Sequence, residues 1–159
     1  NRCHSNCNDE GIIEISGNIY RKISIVGSFS SLVDYEKSTG PAYDSEDVPD
    51  SYLIFDFKDN LVSINAYSIK ASDNSDPSFF TSWIVEGSND KIEWTKIDIH
   101  SDDHRLNGRN KIFTFEVHDK KVLKKKFRYI RIKMIGKATS NDYYFEMRKI
   151  EFFGNYYKK

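Results

Sequence analysis

Cysteine is scarce in this chain: there are two, Cys3 and Cys7, both ahead of the first patterned segment. Two cysteines are too few for a disulfide scaffold. Alanine is also rare, occurring only at positions 42, 66, 71 and 138, and a chain poor in the best helix former builds few helices. No run of about 18 apolar residues occurs, which excludes a membrane-spanning helix. Net charge is missing too, with 24 Lys+Arg against 24 Asp+Glu. That balance excludes a chain-wide basic footprint for nucleic acid or anionic lipid. Asparagine is common, yet no Asn-x-Ser/Thr sequon is present. Together with the thin cysteine content, this points to a reducing, intracellular setting. No initiator Met or signal peptide opens the sequence, and Asn1-Arg2-Cys3 reads as the start of a piece cut from a longer chain.

Catalytic signatures are likewise missing. There is no Gly-x-Ser-x-Gly elbow, Walker loop, Gly-x-Gly-x-x-Gly or His-Glu-x-x-His. The four histidines are dispersed. Asp102 and Asp103 are neighbours whose side chains diverge on an extended chain. The expectation is a protein that is not an enzyme and that carries no cofactor.

What is present is aromatic and β-branched. The 159 residues include 11 Phe and 10 Tyr, suited to pleated, half-buried surfaces and sufficient for one domain with a real core. Residues 1–10 are polar and unpatterned and read as a linker or tail, 11–155 as the domain, and 156–159 as a C-terminal tail. Period-two alternation recurs at 52–57, 83–88, 93–99, 112–117, 127–135 and 144–153. In 62–70 polar and apolar positions mix, as in a strand covered on both sides. In 93–99 the alternation places Thr95, Ile97 and Ile99 on one face. A first strand is expected within 20–29, and a helical turn or two within 8–15 or 30–37. Trp83 and Trp94 are both expected in the core. This is an all-β pattern, an antiparallel two-sheet β-sandwich or jelly roll. So much non-local pairing predicts slow folding.

Three blocks carry a family resemblance. Ser82-Trp83-Ile84-Val85-Glu86-Gly87-Ser88-Asn89-Asp90 with Glu93-Trp94 resembles the central hairpin of the discoidin family, the coagulation factor V/VIII type C domains. Phe127-Arg128-Tyr129-Ile130-Arg131-Ile132 resembles the family's penultimate core strand, and Lys149-Ile150-Glu151-Phe152-Phe153-Gly154 its closing strand. Leu53-Ile54-Phe55-Asp56-Phe57 is similar to an earlier strand of the same fold, so the resemblance covers about residues 20–154. It implies a discoidin-like, galactose-binding-like jelly roll that binds ligands without catalysis. Secreted members often join the two ends of the domain by a disulfide, but 155–159 has no cysteine. This again resembles the intracellular branch of the family, often joined to other interaction domains. Many glycan-binding members also hold a calcium through a carboxylate just before the closing strand. The matching position here is Lys149, whose positive charge opposes a metal.

Antiparallel strands alternate in direction, so alternate connections share an end. Counting back from the last strand places 30–51, 71–82, 100–111 and 136–143 opposite the termini, and 58–61, 89–92 and 118–126 beside them. The resemblance implies binding at the end away from the termini. Candidate ligand-binding residues there are Tyr35, Lys37, Asn74, Asp76, Phe79, Phe80, Arg105, Asn107, Arg109, Asn141, Asp142 and Tyr143, with Asp34, Glu36, Tyr43 and His104 nearby. Aromatic faces take a sugar's C–H patch and planar polar groups take its hydroxyls, while a protein partner uses the same anchors. The expected partner is therefore a glycan, the alternative a protein in an adaptor or scaffold role, alongside other domains of the same parent chain. Packing and turn geometry compete for these residues, above all Phe79 and Phe80 as core caps.

Other clusters read as structural. Cys3, Cys7, His100 and His104 supply zinc-type ligands but fall at opposite ends of the sandwich, so no metal is expected. The acidic stretch 44–50 lacks an EF-hand's glycine and terminal glutamate. Lys120, Lys121, Lys124, Lys125 and Lys126 form a solvated turn without interleaved aromatics, which argues against nucleic acid.

Overall fold

The apolar alternation of the central segments is spent on two facing sheets. The computed structural model describes residues 10–18, 29–34, 43–73 and 78–158. One sheet has five strands in the spatial order β1 (Glu14–Gly17), β3 (Tyr52–Asp56), β8 (Tyr129–Met134), β5 (Trp83–Ser88) and β6 (Thr95–His100). The other has three, in the order β10 (Lys149–Tyr157), β4 (Leu61–Lys70) and β7 (Ile112–Glu116). A short pair, β2 (Tyr43–Asp44) with β9 (Glu146–Met147), closes one side. Every pairing among the described residues is antiparallel, which makes the domain an antiparallel β-sandwich.

The inner faces meet through aromatic rings. Phe55 of β3 lies edge-on to Phe152 of β10 at 5.0 Å, and Trp83 of β5 edge-on to Phe115 of β7 at 5.1 Å. Trp83, Phe55 and Ile130 have no exposed surface. Fully burying one such side chain stabilises the fold by roughly 1.5–3 kcal/mol. A polar line also crosses the core. The Trp83 indole N–H donates to the Tyr67 hydroxyl at 3.0 Å, and that hydroxyl donates to Asp98 at 2.9 Å. Burial and the nearby Asp98 charge push the Tyr67 phenol pKa up. The indole and hydroxyl are thus satisfied rather than stranded in an apolar interior.

Several expectations need correction. The window 20–29 expected to hold the first strand lies outside the described residues except Phe29, which begins a 3-10 turn, Phe29–Leu32. The first described strand is β1, which takes Glu14 and Ile15 from one window expected to hold a helical turn, 8–15, while the other, 30–37, opens on that 3-10 turn. Ile13 and Ile15 are buried there because Glu14–Gly17 pairs with β3. Ile99 does not share the inward face with Ile97. The β5–β6 register shifts at Val85/Glu86, so Ile97 is 4% exposed while Ile99 is 48% exposed. One inserted residue flips the faces that follow it, and Asp98 and His100 turn inward. Trp94 is not core. It is half-buried, with the Arg131 guanidinium 3.9 Å from its ring centre. Tyr156 and Tyr157 are not tail residues but part of β10, paired with Val62 and Leu61.

β10 bends at Gly154, whose φ is +155° and whose Cα lies so near β4 that a Cβ would sit 1.9 Å from the Ser63 carbonyl oxygen. A glycine is required at this bulge.

Candidate ligand-binding loops

The strand directions gather four connections at one end. Asp103 N–H donates to the Thr81 carbonyl at 2.7 Å, Asn110 N–H to Ser72 at 3.1 Å and Ile135 N–H to Ser82 at 3.0 Å. Thr139 N–H donates to Phe79 at 3.0 Å, and Ser45 N–H to Phe145 at 3.3 Å. Segments 43–51, 71–73, 78–82, 101–111 and 135–148 are therefore stitched into one surface. The other end holds 57–60, 89–94 and 117–128, joined by the Val62–Phe127 bridge and the Arg128–Asp56 ion pair at 2.9 Å. The lysine turn 120–126 sits at this second end. β1 enters here and β10 finishes here, since Glu14 pairs with Asp56 and Tyr157 with Leu61.

The first part of the loop surface is built on the 137–143 turn. Asn141 adopts a left-handed φ of +66°, and its amide N–H closes the turn onto Ala138 O at 3.0 Å. The Lys137 ammonium donates to the Asn141 side-chain oxygen at 3.1 Å and lies 5.7 Å from the centre of the Tyr143 ring. Tyr143 is half-buried, and its backbone N–H is held by Asp47 at 2.7 Å. Phe79 is half-buried against the same turn, its N–H donating to the Thr139 hydroxyl at 3.1 Å. Asp142 is committed to loop structure, accepting from Ser78 at 3.1 Å and Tyr144 N–H at 3.2 Å.

Phe80 does not belong to the surface. It is 1% exposed, edge-on to Phe145 at 4.6 Å and to Trp83 at 5.3 Å. Adjacent residues of an extended chain point opposite ways, and Phe80 pairs with Ala138 on the inward side. Tyr43 is also core, 6% exposed, with its hydroxyl donating to Asn18 O at 2.6 Å. Tyr35, Lys37, Asn74, Asp76 and Glu36 lie outside the described residues.

The second part surrounds the end of β6. His100 stacks on Trp83 at 4.4 Å, with its Nε2 2.8 Å from Asp98 and its Nδ1 2.9 Å from Asp103. Arg105 lies over Phe113 and Phe115 at 4.6 and 4.8 Å and bonds Asp103 through its Nε at 2.9 Å. That guanidinium bond outweighs burial and lowers the Asp103 carboxyl to about 2. Burial would raise the Asp98 carboxyl, but the bonds from His100 and Tyr67 prevail and hold it below the usual range. Asp102 turns away from Asp103 and meets His104 at 2.9 Å. Asn107 faces His104 Nδ1 at 2.9 Å, and its own side-chain oxygen is buried without a partner.

The third part is an ion pair. Arg148 bonds Asp73 through its Nε at 2.7 Å, and Arg109 donates to the Asp73 carbonyl at 2.7 Å. The Arg148 hydrogen bonds hold the Asp73 carboxyl below its usual range. Arg105 and Arg109 are thus pinned by intramolecular partners, whereas Lys137, Asn141 and Tyr143 converge on one exposed turn. Lys137, Thr139 and Asp47 were not singled out from the sequence as candidates for this surface. Only the loop count could have found them, since their types are ordinary for solvated turns.

Lys149 is 8% exposed, and its Nζ donates to the carbonyls of Ser31, at 2.6 Å, and Asp34. An ammonium among main-chain carbonyls does not fit the calcium that the discoidin resemblance implies at this position. Among the described residues, no group of three His, Cys, Asp or Glu could hold a metal.

No family model matches the chain. Solved structures do. A family 32 carbohydrate-binding module from Clostridium perfringens, in complex with GalNAc-β-1,3-galactose, superposes with a TM-score of 0.66 at 11% identity, covering 91% of this chain and 97% of that one. The fold is that of a family 32 carbohydrate-binding module. A second module of this fold, from a family 31 glycoside hydrolase of C. perfringens, gives 0.68 at 15% identity over 92% of this chain and 94% of its own. A chitosan-binding module from a Paenibacillus sp. IK-5 chitosanase/glucanase gives 0.62 at 15% identity, covering 90% and 96%. The sandwich expected from the hairpin and closing strands is therefore the observed architecture, and it is the fold these modules share. No helix among the described residues is long and apolar enough to cross a membrane.

Proposed function

We propose that this domain is a non-catalytic glycan-binding module whose ligand meets the 137–143 turn and Phe79. The observation that carries the reading is the Tyr143 ring, half-buried and fixed through its backbone by Asp47, with the Lys137 ammonium over the ring at 5.7 Å and bonded to Asn141. A rigid aromatic face next to an ammonium and a planar amide is what a pyranose requires: stacking for its C–H patch, directed hydrogen bonds for its hydroxyls. The shared fold supports the class of ligand, since the compared modules include one holding GalNAc-β-1,3-galactose and one described as chitosan-binding. Catalysis has no support in the geometry. His100 and its carboxylates are engaged with one another, with Arg105 and with Tyr67. A glycan array followed by calorimetry tests the proposal. A saturable saccharide whose binding is lost in Tyr143→Ala supports it, and a blank array at millimolar saccharide refutes it.

Protein recognition is the second reading, favoured by the outer face of the five-stranded sheet. There Trp94 carries the Arg131 guanidinium, itself bonded to Glu86 at 2.6 Å, on the same sheet face as exposed Ile99 and Tyr52. Trp and Arg are the commonest interface anchors. Under this reading Trp94→Ala abolishes partner capture and Tyr143→Ala leaves it intact.

A further inference from the structure

We infer that the Lys149 ammonium is a built-in cation occupying a main-chain carbonyl site, so that the turn at 29–34 is locked to the start of β10 without a metal. Lys149 is the first residue of β10, its position set by pairing with Lys70 of β4, and Ile150 beside it is 1% exposed. At 8% exposure, its charge would be strongly unfavourable unless hydrogen-bonded. The carbonyls of Ser31 and Asp34 provide those bonds. They lie at the end of the 3-10 turn Phe29–Leu32, which is anchored by Leu32 at 1% exposure and closed by Val33 N–H to Ser30 O at 3.2 Å. Carbonyls at the end of a helical turn have no partner within it and must find a donor or a cation.

Such oxygens are also ligands for a hard divalent ion, provided a carboxylate completes the set. A carboxylate at 149 would bring negative charge to oxygens that already carry it, and the site would then need an added cation. Lysine reverses this, because the positive charge is covalently attached and arrives with the strand. The identity of one side chain thereby decides whether this corner depends on calcium. The inference is independent of the glycan reading, and its test requires no sugar.

The experiment is calorimetric melting of the domain in EDTA and in millimolar calcium chloride. The unmodified domain should melt at the same temperature in both. Lys149→Met should melt several degrees lower and remain indifferent to calcium, since it removes the donor and supplies no ligand. Lys149→Glu should melt lower in EDTA and recover on adding calcium. If Lys149→Glu does not fold in EDTA, circular dichroism after refolding in calcium is the readout, and native β signal there supports the inference. A calcium-dependent rise in the unmodified domain overturns it. So does a Lys149→Met variant as stable as the parent, or a Lys149→Glu variant that calcium neither stabilises nor refolds.

Discussion

Trp83 and Tyr67 are bonded across the sandwich, the indole N–H of β5 donating to the phenol of β4 at 3.0 Å. The phenol in turn donates a hydrogen bond to Asp98, which the bulge in the β5–β6 register turns inward. The bulge is therefore what lets a polar line enter an aromatic core with each of its members satisfied. The same line carries His100, stacked on Trp83, out towards the loop end.

The two tryptophans should separate cleanly in stability. Trp83→Ala should cost roughly 3–5 kcal/mol, as for a fully buried aromatic ring. Trp94→Ala should cost about 1 kcal/mol or less, because its ring is half-exposed and packs under Arg131. Urea unfolding of both variants is the measurement, and equal losses would contradict the placement of Trp94.

Acid should weaken the fold through Asp103. Its folded pKa is about 2, below the ordinary carboxylate value, because Arg105 holds the charged form. A depressed acid contributes stability above its unfolded pKa and loses it as pH falls through the folded one. That contribution, about 1 kcal/mol once solvent screening of the partly exposed pair is allowed for, should be complete above about pH 5 and be lost as pH falls through about 2. Asp98 acts in the same direction. Asp103→Asn should flatten the slope of stability against pH in this window, measured by chemical unfolding at a series of pH values.

Phe80 and Tyr143 should behave in opposite ways. Phe80→Ala should lower stability by about 3–5 kcal/mol by emptying a site between Trp83 and Phe145. Tyr143→Ala should lower stability by less than Phe80→Ala does, since its half-buried ring only borders the core, and weaken glycan binding by about 1–2 kcal/mol, a factor of roughly 5 to 30. Paired melting and calorimetric titration would show it, and a Tyr143 variant that binds normally places the ligand elsewhere.

Gly154→Ala should destabilise the domain by about 1–3 kcal/mol, since the backbone there is strained for any L side chain. The added methyl would also overlap the Ser63 carbonyl. Denaturant midpoints of the variant and parent give the comparison.

The sandwich was legible where side chains alternate without interruption. Phe113 and Phe115, or Ile130 and Ile132, keep one face throughout their strands, and simple counting of strand directions sorted the connections to the correct ends. Reading failed where a single residue changes the phase. The inserted residue in β6 exposed Ile99, and the segment 144–153 broke into β9 and β10 around Arg148, whose side chain turns out to Asp73. Loop residues were harder still. Phe79 and Phe80 differ in fate only by strand parity, which their neighbours Ser78 and Thr81 do not reveal. Arg105 and Arg109 have the chemistry of ligand anchors, but Asp103 and the Asp73 carbonyl claim them first. Such pairings depend on loops distant in sequence, so no local pattern announces them.

The placement of β4 between β10 and β7 has a bearing on biosynthesis. β4 is a strand of 10 residues, and one of its edges is covered by the 9-residue strand at the far end of this sequence. As a nascent chain emerges, β4 appears long before β10. Throughout that interval its backbone donors and acceptors on one side form an open template for a neighbouring chain. β10 thus acts as a lid on aggregation as well as a piece of the core, and a chain stalled before Lys149 would leave that edge of β4 open.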